Sequence, residues 1–419
     1  MTVEAMAEYE AGASLDPGNA EYLIRAARTA FELANESQAL AWYEAMKSRS
    51  GLESGDSGSQ WCSATQHKLD TWCAGRLEDA VRIARAQSHS FREAKWLPNS
   101  GIELEFAQPV TPEIYVASLS QCRILPEDHL LIARDNSVFI YDVMSKPLHR
   151  PFLSPHVEHY SDDGRLLIRY PGQVRAFDMP CAYLGSAPSY CAWLLECVTR
   201  LWAYFQRPEW ERLPVTVQSG LTHWQSGLLD LLGYDEQRRV PITEDSVAVF
   251  AELKIASMTA QWNVAAPFTI EHLRRVLRQT MRTSAMTPRR VFLSREGMAT
   301  RRLANFAEIA PLLERHGFTV LAAETLSSRE CLELMGSAEV IVGMEGAAMA
   351  NVFFAPLNAR IGLVTANAGD ARRYCAASRA IGQEFTYLLG EAVFDSNDLL
   401  ADCDVRLDPH VFEEFINAR

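Results

Sequence analysis

Between Arg289 and Ala366 the chain alternates apolar runs of strand length with stretches of helical period. RRVFLSR, FTVLAAE, EVIVGM and RIGLVTA read as strands. NFAEIAPLLERHG, SSRECLELMGSA and the small-residue stretch GAAMANVFFAP lie between them. Strands linked through helices must run parallel, and a parallel sheet needs helices on both faces. The reading is therefore a doubly wound, Rossmann-like layer, whose ligands bind beyond the C-terminal strand ends. Those ends are Ser294-Arg295, Ala323-Glu324 and Met344-Glu345.

Upstream, HWQSGLLDLLGY and YCAWLLECVTRLWAYF read as helices, and LPVTVQ and VPITEDSVAVFAELKI as strands, which implies a second α/β layer. It is preceded by short β-type runs, EIYVASL, HLLIAR, SVFIYDV, RLLIRY and VRAFDM, separated by turn signals. Residues 1–97 read as helical. Ala26, Ala27, Ala30, Leu33, Ala39, Leu40 and Tyr43 fall at helical spacing and resemble a tetratricopeptide repeat. A second copy is read at WCSATQHKLDTWCAGRLEDAVRIARAQ, after the polar loop SGLESGDSGSQ. Two copies are too few for a free-standing solenoid, so the region is either a docking surface for a protein partner or a cap on the next domain. The expected division is residues 1–97 helical, 98–270 an α/β lobe with a β-rich opening segment, and 271–419 a Rossmann-like lobe.

A chain of 419 residues exceeds one ordinary core. The net charge of −13 argues against a broad nucleic-acid surface but leaves room for a local anion site. No apolar run reaches the length of a membrane span, and MTVEAMAEYEAG lacks the basic start and apolar core of a secretory signal. The nine cysteines are scattered without a CxxC pair and are expected to be reduced and mostly buried. A cytoplasmic protein, or one peripheral to the inner face of a membrane, is the expectation.

Arg295 at a strand end, with Arg301 and Arg302 close behind, suits bidentate phosphate binding; for Arg302 a solvated loop position is the better account. Glu345-Gly346-Ala347 joins a strand end to a helix start, where backbone N–H groups attract anions and Gly346 admits a close ligand. Glu345 itself would either accept a hydrogen bond from a ribose or acceptor hydroxyl or cap the helix. Asp402-Cys403-Asp404 resembles a DxD metal motif, but no α/β layer follows it, and it is set aside as chance. His156, Glu158 and His159 are metal-ligand types without a well-spaced further partner and are read as surface polar residues. No GxGxxG, GxSxG or P-loop pattern occurs.

These motifs, in this order, resemble glycosyltransferase family 61 over roughly residues 112–365. That family shows a strand ending in Ser-Arg, further arginines, a Glu-bearing helix, and then A-IVG-(His or Glu)-GA-L-N—F. Its N-Y-x-H-W-L-L helix is matched by SYCAWLLECVTRLW, and its E-L-L-G-I segment by LLDLLGYDEQRRVPI. The resemblance implies a GT-B fold, with two Rossmann-like lobes facing a cleft. It implies inverting transfer of a sugar from a nucleotide-sugar donor to a glycan, lipopolysaccharide or protein acceptor, without a metal or other cofactor. It assigns Ser294, Arg295, Arg301, Glu324, Glu345, Gly346, Ala347 and Asn351 to the donor. Ala192 replaces the family's usual His, so the catalytic base is sought at Glu196, His223 or Glu345, with an ion pair to Arg200 as the structural alternative for Glu196. Ala192 also motivates the alternative of an inactive member that binds nucleotide sugars or a protein partner. A glycoside phosphorylase of the same architecture is a third reading.

Overall fold

The computed structural model describes residues 7–9, 11–12, 20–33, 35, 37–42, 60–66, 73, 80–88, 95–98, 110–139, 154–161, 163–187, 189–261, 264–280, 288–366, 372–394 and 402–418. Two large sheets organise them. The first is built from β1 (Gln60–Gln66), β2 (Ala80–Ala84), β4 (Ile114–Ile124), β5 (Leu131–Ile132), β6 (Ser137–Val138), β7 (Val157–Tyr160) and β8 (Arg165–Tyr170). To these it adds β9 (Val174–Phe177), β10 (Cys181–Tyr183), β11 (Val215–Gln218), β12 (Arg239–Ile242) and β13 (Val247–Ala256). Its order is β12-β11-β10-β13-β4-β5-β6-β1-β8-β7, with β9 on β13 and β2 on β4. The β12-β11-β10-β13 part is parallel, and β13 pairs antiparallel with β4. The helical run 190–204 (α2), α3 (His223–Leu231) and α4 (Pro267–Thr280) pack on this sheet.

The second sheet holds β14 (Arg290–Ser294), β15 (Thr319–Ala322), β16 (Val340–Met344), β17 (Arg360–Thr365) and β18 (Glu384–Leu389). With β3 (Lys95–Leu97) they run β15-β14-β16-β17-β18-β3, all parallel. Residues 340–344 and 361–365 are buried throughout, as central parallel strands require, whereas β15 is an edge strand with Val320 exposed. Successive side chains go to opposite faces. Phe292, Val340 and Val342 meet α5 (Phe306–Arg315) and α8 (Pro409–Asn417). Val291, Leu293 and Ile341 meet α6 (Ser328–Ser337) and α7 (Arg372–Ala380).

Local signals place the ends of these helices. Gly317 takes φ of 69°, and Phe318 N–H then reaches back to Leu313 O at 2.9 Å, which closes α5. Reciprocal caps start two others, Thr222 with Gln225 for α3 and Ser327 with Glu330 for α6. The expected alternation from 289 to 366 is therefore present, with the doubly wound order.

The helical reading of residues 1–97 needs correction. α1 (Ala20–Glu32) and residues 37–42 are helical, as expected there of helices though not of a repeat as such. In the second copy, residues 60–66 and 80–84 are strands of the first sheet, paired with β8 and β4. Cys62 and Ala64 alternate inward along β1, a period-2 pattern that the helical reading overlooked. β3 joins the C-terminal sheet through Thr386, Tyr387 and Leu388, so a boundary at residue 98 does not separate the two sheets. The apolar face of α1 is occupied from within: Ala27, Ala30 and Phe31 cluster with Leu167 of β8, and Arg165 donates to Phe31 O at 2.8 Å. Such packing is what the cap reading expects of α1. The polar loop 51–59 lies outside the described residues.

Neither are the two sheets separated by an open layer. Trp193, Leu194 and Leu228 from the first share one continuous buried core with Leu293, Ile341, Met349 and Phe353 from the second. All nine cysteines are buried and free of disulfides. No helix among the described residues is long and apolar enough to cross a membrane.

Candidate functional site

Arg295 follows the last residue of β14 and is the centre of the site. It is half-buried, and its Nε and Nη2 both donate to Thr300 O at 3.3 Å, so the loop 295–300 folds back to hold its own first residue. Ser294, buried at the strand end, accepts from Glu296 N–H at 3.2 Å and tightens the same loop. Burial, and then the neighbouring Arg301, pull the Arg295 pKa below the ordinary arginine value; Tyr374, Glu324 and Glu345 oppose them. Arg301, Glu324 and Glu345 thus sit within electrostatic reach of Arg295, near the ends of β14, β15 and β16.

Gly346 explains part of this geometry. Its backbone is extended, so φ does not demand glycine. A Cβ there would collide with Arg295 Nη1 and come within 3.2 Å of its Cδ and Cζ. The space expected for a ligand is therefore filled by the arginine, which lies across the start of the following turn. Residues Ala347–Phe354 form a 3-10 run, and Met349 N–H makes its first internal bond, to Gly346 O at 3.1 Å. The Ala347 and Ala348 amides precede that bond, and Ala347 is exposed. A guanidinium beside such amides suits an anion.

The residue before the run is Gly346, and Glu345 Oε2 accepts from Thr365 Oγ1 at 3.0 Å, across to the end of β17. Thr365, Thr300 and Tyr374 were missed. Thr365 ends a strand exactly as Ser294 does, and extending the strand-end argument to RIGLVTA would have found it. Nothing in sequence spacing brings Tyr374 of α7 to Arg295.

Asn351 is placed otherwise than expected. It is fully buried and accepts from the Tyr190 hydroxyl at 2.9 Å, which links the 3-10 run to the helical run after β10. A second link joins Ser328 Oγ to Trp224 O at 3.0 Å. Both links connect loops that leave the C-terminal ends of parallel strands in the two sheets. His223 is exposed at the first turn of α3, next to that second link. Glu196 is half-buried in a π turn, Trp193–Cys197, which breaks the ordinary register with Ala192. Arg200 sends its Nη1 to Leu184 O at 3.3 Å and lies over the Tyr183 ring.

The metal-type residues are engaged elsewhere. His156 is buried, with its ring nitrogens 3.0 Å from Arg169 O and 3.1 Å from Pro126 O, so it is not a surface residue. Glu158 pairs with Arg169 and His159 with Glu32. Among the described residues no group of three His, Cys, Asp or Glu side chains could hold a metal ion.

Residues 190–362 match the model of the family described as Glycosyltransferase 61, a stretch that runs from Tyr190 to the middle of β17 and includes Arg295, Glu345 and Gly346. Among curated proteins none matches the chain.

Proposed function

The chain carries a glycosyltransferase 61 domain over residues 190–362 and is a glycosyltransferase; from that premise we propose that it transfers a sugar, with inversion and without a metal, from a nucleotide-sugar donor to a hydroxyl of a glycan, lipopolysaccharide or protein. The observation that carries this reading is the half-buried Arg295 seated over Gly346 beside the first amides of the 3-10 run. A departing nucleoside diphosphate develops charge as the glycosidic bond breaks, and preorganised donors at that point lower the barrier. Arg295 and Arg301, with the Ala347 and Ala348 amides, supply such donors from protein groups alone. Glu345, oriented by Thr365, is suited to a ribose hydroxyl.

The two sheets would serve as GT-B-like halves, with the acceptor at the C-terminal edge of the first. There His223 is the base we favour, because it is exposed beside the contact that joins the two edges. Glu196, half-buried in the π turn, is less accessible to an acceptor hydroxyl.

The test is a panel of nucleotide sugars and glycan acceptors with wild type, Arg295→Ala and His223→Gln. Arg295→Ala should lower kcat/KM about 100-fold or more, as loss of an oxyanion-type donor does. His223→Gln should lower kcat about 100-fold with little change in donor KM. Full activity of Arg295→Ala would sink the donor assignment. Unchanged kcat in His223→Gln would move the base elsewhere.

A further inference from the structure

Asp402-Cys403-Asp404 has the form of a metal motif, yet its carboxylates face arginines. Asp404 Oδ1 accepts from Arg302 N–H at 2.8 Å, and Oδ2 accepts from Arg302 Nε at 3.0 Å and Nη2 at 2.7 Å. Asp402 O accepts from Arg301 N–H at 3.3 Å, and its carboxylate lies 4.0 Å from Arg301 Nε. Val405 N–H donates to Arg302 O at 2.9 Å, and Ala304 N–H to Val405 O at 2.8 Å. The segment 402–405 is therefore laced along residues 301–304, beyond the region that the family model matches.

What this lacing holds is unusual. Arg301 has φ of 58°, a left-handed conformation that a long side chain rarely adopts without outside support. Its Nε is buried with no hydrogen-bond partner among the described residues. The residue before it, Thr300, supplies the carbonyl that holds Arg295. One loop thus holds the Arg295 guanidinium and the Arg301 backbone, with Arg301 close enough to depress the Arg295 pKa. Two like charges held together in the free protein are relieved when an anion binds between them.

We infer that residues 402–405 are a brace that positions Arg295 and Arg301 for a diphosphate, and that Asp404 is its positioning residue. This rests on the reading of the two arginines as the diphosphate site. Asp404 touches no substrate; it acts through the backbone and guanidinium of Arg302. The two carboxylates of the motif each face one of the two arginines, Asp402 towards Arg301 and Asp404 towards Arg302.

The experiment pairs amide hydrogen exchange with calorimetric titration of inorganic pyrophosphate, UDP and GDP, with and without Mn²⁺, on wild type, Asp404→Ala and Asp404→Asn. In Asp404→Ala the amides of residues 301–304 should exchange about tenfold faster or more, with the central strands unchanged. Diphosphate affinity should fall about tenfold, the scale on which misplaced groups lose binding. Asp404→Asn keeps an acceptor for Arg302 N–H and should recover most of both losses. If Asp404→Ala does not fold, Asp404→Asn and Arg302→Gln carry the same measurement, each with a smaller loss. Wild-type exchange and affinity in Asp404→Ala, or in Arg302→Gln where Asp404→Ala does not fold, would overturn the inference. So would diphosphate binding that requires Mn²⁺ and is lost when Asp402 or Asp404 becomes Asn. If wild type binds none of the three probes, the diphosphate site fails, while the exchange result still decides whether the brace exists.

Discussion

His129 is buried to 1% exposure on a backbone with φ of 57°, and neither ring nitrogen has a hydrogen-bond partner among the described residues. Burial lowers its pKa from 6.5 to about 3. Between those values the unfolded chain takes up a proton that the folded chain does not, so stability falls as pH falls through this window. At pH 5 the loss is about 2 kcal/mol, from a gap of about 1.5 pH units below the unfolded value. Its neighbour Asp128 acts in the opposite sense, because burial, only partly offset by the Ser154 hydroxyl and His156, raises its carboxyl to about 6. Its folded form holds the extra proton, so its contribution weakens as pH rises from 3.8 towards 6. The two partly cancel in wild type, and a variant separates them. His129→Phe fills similar space without polar atoms, and it should gain stability on wild type progressively as pH drops from 7 to 5. Chemical denaturation at both pH values checks this; an equal difference at the two would mean that the imidazole does not titrate in this window.

At the scale of elements, the 3-10 run Ala347–Phe354 is held from its far end. Gln383 Nε2 donates to Val352 O at 2.9 Å and Ala355 O at 3.0 Å, and the buried Arg274 donates to Phe353 O. A 3-10 run supports itself poorly, so these bonds hold its C-terminal end in place. Gln383→Leu removes both bonds; Val352 O keeps the Ala355 N–H, and Ala355 O loses the amide donor, so the change should cost about 1–3 kcal/mol and lower diphosphate affinity. Urea denaturation and the titrations described for Asp404 measure the two effects. The strands and helices from 289 to 366 were legible because their period, glycine stops and capping residues all agree. Arg295 and Glu345 were legible for the same reason, as polar residues ending apolar strands. Gly346 was legible as a special position but not for its cause, since no spacing shows that Arg295 folds over it. The β1 and β2 strands were hidden because WCSATQ and AVRIA are short, and their partners lie far along the chain in β8 and β4. The Asp404–Arg302 pair was hidden for the same reason: about one hundred residues separate its members, and only the tertiary fold brings them together.

For the whole molecule, the question is whether the two sheets are one cooperative body. Three ties cross between them. The shared apolar core is the largest, β3 inserts an early segment beside β18, and the Tyr190–Asn351 and Trp224–Ser328 bonds join their C-terminal edges. Burial raises the Tyr190 hydroxyl well above the ordinary tyrosine pKa, so it stays a neutral donor to Asn351 across the accessible pH range. Asn351 Nδ2 has no partner among the described residues, so Tyr190 OH is the hydrogen bond that the buried amide retains there. Tyr190→Phe removes only that hydroxyl, keeping the ring against Trp193 and Trp224. It should cost about 1–3 kcal/mol, the penalty for leaving a buried polar group unpaired. Because the core is continuous, the loss should appear as a lower midpoint of a single unfolding transition with an unchanged denaturant slope. Two separate transitions in Tyr190→Phe would mean that the edge contacts, rather than the core, bind the sheets together. The proposed transfer site would then draw on bodies that can part, and donor binding would have to supply the energy to bring them into register.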